Sequence, residues 1–194
     1  MFYRITACLC LVYYKLFNFV RFDGRENIPD TSCLICANHT GLSDPILLGI
    51  ALGVCTKVKP RFMAKAEIFK NKLFGALVRA LGAFPVRRGE TDVAAIKEAL
   101  RILKSNGRLI LFPEGTRNHG DVDAKAGTGM LAYRTGCGIL PVYITPGRKP
   151  FHKIVVTIGN AFSPTPVEGK PSGTDYQALA DETMRRVYEL RDAR

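Results

Sequence analysis

The chain has 194 residues, enough for one domain with one hydrophobic core. Hydrophobic residues make up 47% and charged residues 23%, which excludes disordered, collagen-like and disulfide-scaffold classes, and a mean hydropathy of +0.04 excludes a polytopic membrane protein. Against 17 Asp and Glu there are 28 Lys and Arg, a net charge of +11 that calls for an anionic partner: nucleic acid, phospholipid or a phosphorylated substrate.

Residues 1–20 carry 16 apolar side chains, the exceptions being Arg4, Thr6, Lys15 and Asn18. At 100° per residue, Arg4, Lys15 and Asn18 fall within about 60° of one another on a helix. Such a helix suits a membrane interface, with its cations among headgroups and its aromatics below them. Spanning needs about 20 mainly apolar residues, and the longest unbroken run here is Ala7 to Tyr14. The sequence therefore predicts an interfacial helix over 1–22, preceding a single domain over 23–194; the alternative is an ordinary buried helix of that domain.

A strand at about 32–37 follows Phe22-Asp-Gly24, and then a helix from Pro45, with Asp44 as its N-cap. Residues 61–64 read as a short strand, 68–81 hold at least one helix, and Phe84-Pro85-Val86 reads as an edge strand because proline cannot donate to a ladder. The clearest helix is 92–105, with Val93, Ile96, Leu100 and Leu103 on one face, Thr91 as cap and Gly107 as stop. Strands at 108–112, 139–144 and 154–158 and helices at 128–135 and 175–191 complete the pattern, the last helix opening on a Thr174-x-x-Gln177 capping box. The alternation predicts a single α/β domain whose central sheet is largely parallel or mixed and is flanked by helices.

Cys33 and Cys36 form the one C-x-x-C among six cysteines, but in a strand they point to opposite faces. With three histidines in the chain, no metal site is expected, and the thiols read as small core residues in a reducing compartment. Charge is concentrated: Lys57, Lys59, Arg61, Lys65, Lys70, Lys72, Arg79, Arg87 and Arg88 stand against Glu67 alone, so 9 − 1 = +8 of the +11 lies in 57–88.

Three segments carry chemistry. Asn38-His39-Thr40-Gly41-Leu42-Ser43-Asp44 sits where a strand gives way to a helix, the carboxyl-end position at which α/β sheets build sites. His39 is a candidate general base, and Asp44 can reach its Nδ1 across a tight turn, leaving Nε2 for a substrate hydroxyl. Alternatively, Asp44 only caps its helix. Phe112-Pro113-Glu114-Gly115-Thr116-Arg117 leaves a second strand with a carboxylate, a glycine, a hydroxyl and a guanidinium, and Gly82 to Arg88 ends an edge strand with two guanidiniums. No serine or cysteine stands in a nucleophile-elbow context, which suggests direct transfer to a substrate hydroxyl.

The ordered blocks Asn-His-x-x-x-x-Asp, Gly-x-x-Pro-Val-x-Arg, Phe-Pro-Glu-Gly-Thr-Arg and Leu140-Pro141-Val142-Tyr143-Ile144, with Met63-Ala-Lys65-Ala-Glu-Ile-Phe69 between the first two, resemble those of the glycerolipid acyltransferases. Gly41 and Asn118 depart from the pattern, each standing where serine is common. The resemblance implies acyl transfer from acyl-CoA or acyl-carrier protein to lysophosphatidic acid, giving phosphatidic acid, with His39 as base and Asp44 as its partner. It further implies that Arg88, Glu114, Gly115 and Arg117 shape the acceptor site, that Lys65 adds a phosphate contact, and that backbone N–H groups at Gly115 and Thr116 meet the oxyanion. No cofactor, metal or acyl-enzyme is expected beyond the thioester co-substrate. The implied setting is peripheral, on the cytoplasmic face of the cell membrane and against an anionic surface. Two alternatives stay open: the same chemistry on glycerol 3-phosphate or another lysolipid, and a basic nucleic-acid-binding module, for which no aromatic register interleaves the cations.

Overall fold

The computed structural model describes residues 2–41, 43–55, 59–87, 92–114, 125–146 and 151–192. Cys33–Ala37 (β2) is an unbroken apolar run buried at all five positions, as expected of a strand covered on both faces. It lies mid-sheet, parallel to both its neighbours, Arg108–Leu111 (β5) and Gly138–Ile144 (β6). Arg61–Lys65 (β3) adds to β5 and Ala83–Val86 (β4) to β3, also in parallel. Val155–Ile158 (β7) runs antiparallel to β6 and carries Arg21–Asp23 (β1) at the far edge, so the order is β1-β7-β6-β2-β5-β3-β4. Pro85 lies on the edge strand β4, where its missing N–H costs no ladder bond.

Helices cover both faces. Asp44–Cys55 (α2) and Phe2–Asn18 (α1) lie over the face formed by Cys33, Ile35, Ala37, Ile110, Val142 and Ile144. Val93–Lys104 (α4) and Gly127–Thr135 (α5) cover the other, with Leu34, Cys36, Leu109 and Ile139, and Gly173–Asp192 (α6) joins them through Leu179. Cys33 and Cys36 thus fall on opposite faces, as strand periodicity requires, and burial pushes the Cys33 thiol up to about 12. Between β3 and β4 the chain makes a 3-10 turn, Ala66–Phe69, and a short helix, Lys72–Ala80 (α3). The right-handed crossover rule puts α3 on the α2 face, and Leu81 at its end lines the same slot as α1 and α2.

Four details differ from the sequence expectations. The α4 N-cap is Asp92, which accepts from the N–H of Ala95 at 3.0 Å; Thr91 lies outside the described residues. The α4 face turned to the sheet is Ala95, Ala99, Ile102 and Leu103, with Val93 55% exposed, because the two alanines allow close helix–sheet approach. The α6 cap is Ser172 with Asp175: the Asp175 carboxylate takes the Ser172 N–H at 2.7 Å, while Gln177 reaches forward to Asp181. Strand β1, only three residues long, was missed in the sequence.

The amino-terminal helix has two faces. Ala7 is buried, and the Tyr3 hydroxyl donates to the Gly49 carbonyl at 2.7 Å. At Gly53 a Cβ would lie 2.6 Å from the Tyr3 ring, so α1 approaches α2 along glycine. The opposite face leaves Ile5, Leu9, Val12, Tyr13, Leu16 and Phe17 exposed. Among the described residues, no helix is long and apolar enough to cross a membrane.

Candidate active site

Strands β2 and β5 end side by side on the carboxyl edge of the sheet. Their register, Cys36 opposite Leu111, brings His39 level with Glu114 when carried three residues on. The turn after β2 then folds back on itself. Asp44, fully buried at the start of α2, holds His39 Nδ1 at 3.0 Å and accepts from the backbone N–H groups of Thr40 at 2.7 Å and Gly41 at 2.8 Å, all on Oδ2. Its carboxylate therefore faces the histidine turn, and the first helical hydrogen bond of α2 goes to the Ser43 carbonyl, from Leu47 N–H at 2.9 Å.

The imidazole is buried to 7% exposure and stacks on Phe112, ring centroids 4.2 Å apart and planes 23° from parallel. With Nδ1 taken by Asp44, Nε2 has no hydrogen bond to any described residue. Chemically this is an oriented imidazole whose free nitrogen can take a proton and whose positive form has a carboxylate at hand.

Two further groups, Asn38 and Glu114, fix the turn. Asn38 bridges the ends of β2 and β6, donating to the Ile144 carbonyl at 2.9 Å and accepting from Ile144 N–H at 2.8 Å. Glu114 points inward: at 3% exposure, its Oε2 accepts from His39 N–H at 3.3 Å and its Oε1 from the Tyr188 hydroxyl at 2.5 Å. Glu114 therefore braces the histidine from behind, a contact additional to the acceptor-site role that the resemblance implies. The sequence signals for Asn38 are its place in the Asn-His-x-x-x-x-Asp block and its position directly before the histidine at a strand end; nothing local points to Tyr188.

Lys65 ends β3 on the same edge of the sheet, two strands from β2, which is roughly 10 Å across. Its ammonium is exposed and lies 3.7 Å from Glu67. Arg88, Gly115, Thr116 and Arg117 lie outside the described residues. Among those described, no group of three or more His, Cys, Asp or Glu side chains is placed to hold a metal ion.

A family model described as Acyltransferase matches residues 19–145, a span that holds both strand ends and the histidine turn. The chain belongs to this acyltransferase family. A 1-acyl-sn-glycerol-3-phosphate acyltransferase of Bacillus subtilis (strain 168) is 29% identical over 194 residues, covering 97% of this chain and 96% of that protein. One of Streptococcus pneumoniae (strain ATCC BAA-255 / R6) is 33% identical over 152 residues, 75% of this chain, which spans 54% of that relative's length. Among solved structures, the 1-acyl-sn-glycerophosphate (LPA) acyltransferase PlsC from Thermotoga maritima superposes with a TM-score of 0.69 at 27% identity, covering 97% of this chain and 78% of that one. The acyltransferase fold is thus a mixed sheet flanked by helices, with α1 preceding the matched span.

Proposed function

We propose that this acyltransferase moves a fatty acyl group from a thioester, acyl-CoA or acyl-carrier protein, to the free hydroxyl of 1-acylglycerol 3-phosphate, giving phosphatidic acid. The observation that carries the reading is the buried His39–Asp44 pair, with Nδ1 committed and Nε2 available. His39 Nε2 takes the proton of the acceptor hydroxyl as its oxygen attacks the thioester carbonyl. The tetrahedral intermediate collapses with loss of the thiolate, and the imidazolium returns the proton to that sulfur. Asp44 holds the ring in the required tautomer and offsets its charge while it is protonated. The relatives named for this reaction support the acceptor.

Beside Asp44, a slot of about 90 Å³ lined by Ala7, Pro45, Ile46, Ile50, Phe62 and Ile110 offers an apolar surface of the kind an alkyl segment fills. The exposed apolar face of α1 is joined on the same side by Leu73 (86% exposed), Phe74 and Leu77 of α3, which Lys70 and Lys72 flank. This combination suits the interface of an anionic membrane, where the acceptor lipid resides.

Purified protein should be incubated with radiolabelled acyl-CoA, and separately acyl-carrier protein, against 1-acylglycerol 3-phosphate, glycerol 3-phosphate, a neutral lysolipid and monoacylglycerol. Labelled phosphatidic acid from the first acceptor alone is the expected product; preferential acylation of another acceptor would replace this assignment.

A further inference from the structure

We infer that Tyr188, on the last turns of the carboxy-terminal helix, is a positioning residue for the catalytic turn, acting through Glu114 on the backbone of His39. The inference rests on His39 being the base.

Two carboxylates share the task of holding that turn. Asp44 secures the N–H groups of Thr40 and Gly41 and one imidazole nitrogen, and Glu114 secures the N–H of His39 itself. A buried carboxylate braces best when its second oxygen is also bonded, because an unpaired oxygen leaves the group free to rotate and bears the full cost of burial. Tyr188 supplies that second bond at 2.5 Å. Burial, then the Glu114 carboxylate, pushes the Tyr188 hydroxyl above its usual range, which keeps the proton on the tyrosine as the donor. The ring of Tyr188 is itself held, edge-on to Tyr143 of β6 at 6.2 Å and beneath the Arg191 guanidinium at 5.9 Å. The brace thus joins three elements: α6, the end of β5 and the end of β2.

Tyr188 lies 74 residues from Glu114 and outside the span that the family model matches, 19–145. The helix that carries it is therefore more than a cover for the sheet. It sets the height of the histidine backbone at the edge where transfer takes place, and a displacement of about 1 Å there is enough to cost on the order of 100-fold in rate.

The test is Tyr188→Phe, which deletes the hydroxyl and keeps the ring packing, assayed with palmitoyl-CoA and 1-oleoylglycerol 3-phosphate. We expect kcat to fall about 10- to 100-fold with KM for the acceptor within about twofold, because binding groups are untouched. Melting temperature and circular dichroism should stay near wild type. Glu114→Gln, whose single carbonyl oxygen can serve only one of the two donors, should show the same split, and the double variant should be no worse than Glu114→Gln alone, since both changes cut one relay. Wild-type kcat in Tyr188→Phe, a loss confined to KM, additive losses in the double variant, or a kcat loss that only tracks the folded fraction would each overturn the inference. His39→Ala, run in parallel, separates the two levels: an inactive His39→Ala beside a fully active Tyr188→Phe removes the brace alone, whereas an active His39→Ala removes the base on which the brace depends.

Discussion

His39 is held from three sides: Nδ1 by Asp44, one ring face by Phe112, and its backbone N–H by Glu114. His39→Ala removes the proposed proton acceptor and leaves the turn's backbone anchors in place, so turnover should fall by about 10²–10⁴ while the melting temperature stays close to wild type. Asp44→Asn should lose activity by a comparable factor, since the imidazole loses the anion that offsets its charge. Steady-state rates on 1-acylglycerol 3-phosphate, with a melt for each variant, check both; near-normal turnover in His39→Ala would remove the general-base assignment. Asn38 gives a contrasting expectation. Its two buried hydrogen bonds to Ile144 contribute about 1 kcal/mol each, so Asn38→Ala should cost about 2 kcal/mol of stability in a denaturant titration. The histidine and aspartate were legible because five-residue spacing across a strand–helix turn is a local property. Asn38 was visible but without a role, and Tyr188 was invisible, because only the packing of α6 brings position 188 to position 114.

At the scale of the elements, α6 is the clearest case of helix chemistry imposed on a packed face. Leu179, Ala180, Thr183, Met184 and Val187 turn inward, and the outer face carries Glu182 bonded to Arg185 and Arg186, with Arg185 also paired to Glu189. The two arginines, Arg185 first, hold the Glu182 carboxyl down to about 2, below its ordinary 4.5. A folded value depressed in this way stabilises the fold above pH 4.5 and is lost as pH falls through about 2. Wild type should therefore lose more stability than Glu182→Gln between pH 5 and pH 2, and high salt should narrow the difference; parallel melting curves would show that the pairs contribute nothing. Apolar periodicity and strand–helix alternation made nearly every element legible. The caps were less so, because Ser172 and Thr174, or Asp92 and Thr91, offer similar oxygens within two residues, and the choice between them depends on where the packed helix starts. The inward face of α4 was misjudged for a related reason: Ala95 and Ala99 are weak hydrophobes in sequence, yet their small size lets the helix sit close to the sheet.

For the whole molecule, a mostly parallel sheet follows from alternating strands and helices, and β7 returns antiparallel to its sequence neighbour β6, but the three-residue β1 depends on pairing with β7 across more than 130 residues, which no local pattern records. The amino-terminal segment likewise needed the structure, since the same apolar residues suit a core helix or an interfacial one. It is packed on one face and exposed on the other. Deleting residues 1–20 would thus remove core contacts of Tyr3 and Ala7 along with any membrane contact, so the informative change is Leu9→Glu with Leu16→Glu, at side chains 66% and 63% exposed. Neither leucine contributes to the core, so the melting temperature should hold. If this face enters a bilayer, each leucine adds up to about 2 kcal/mol of apolar burial, and the pair should lower partition onto phosphatidylglycerol vesicles by about 100-fold or more. The net charge of +11 adds an electrostatic part. Raising ionic strength from about 0.1 M to about 1 M shortens the screening length from about 10 Å to about 3 Å, so wild-type binding should weaken with salt and the residual binding of the double variant should nearly vanish. Activity on a dispersed short-chain acceptor should survive in the double variant while activity on vesicle-borne acceptor falls. Undiminished vesicle sedimentation by a folded Leu9→Glu/Leu16→Glu protein would show that α1 does not meet the membrane through this face.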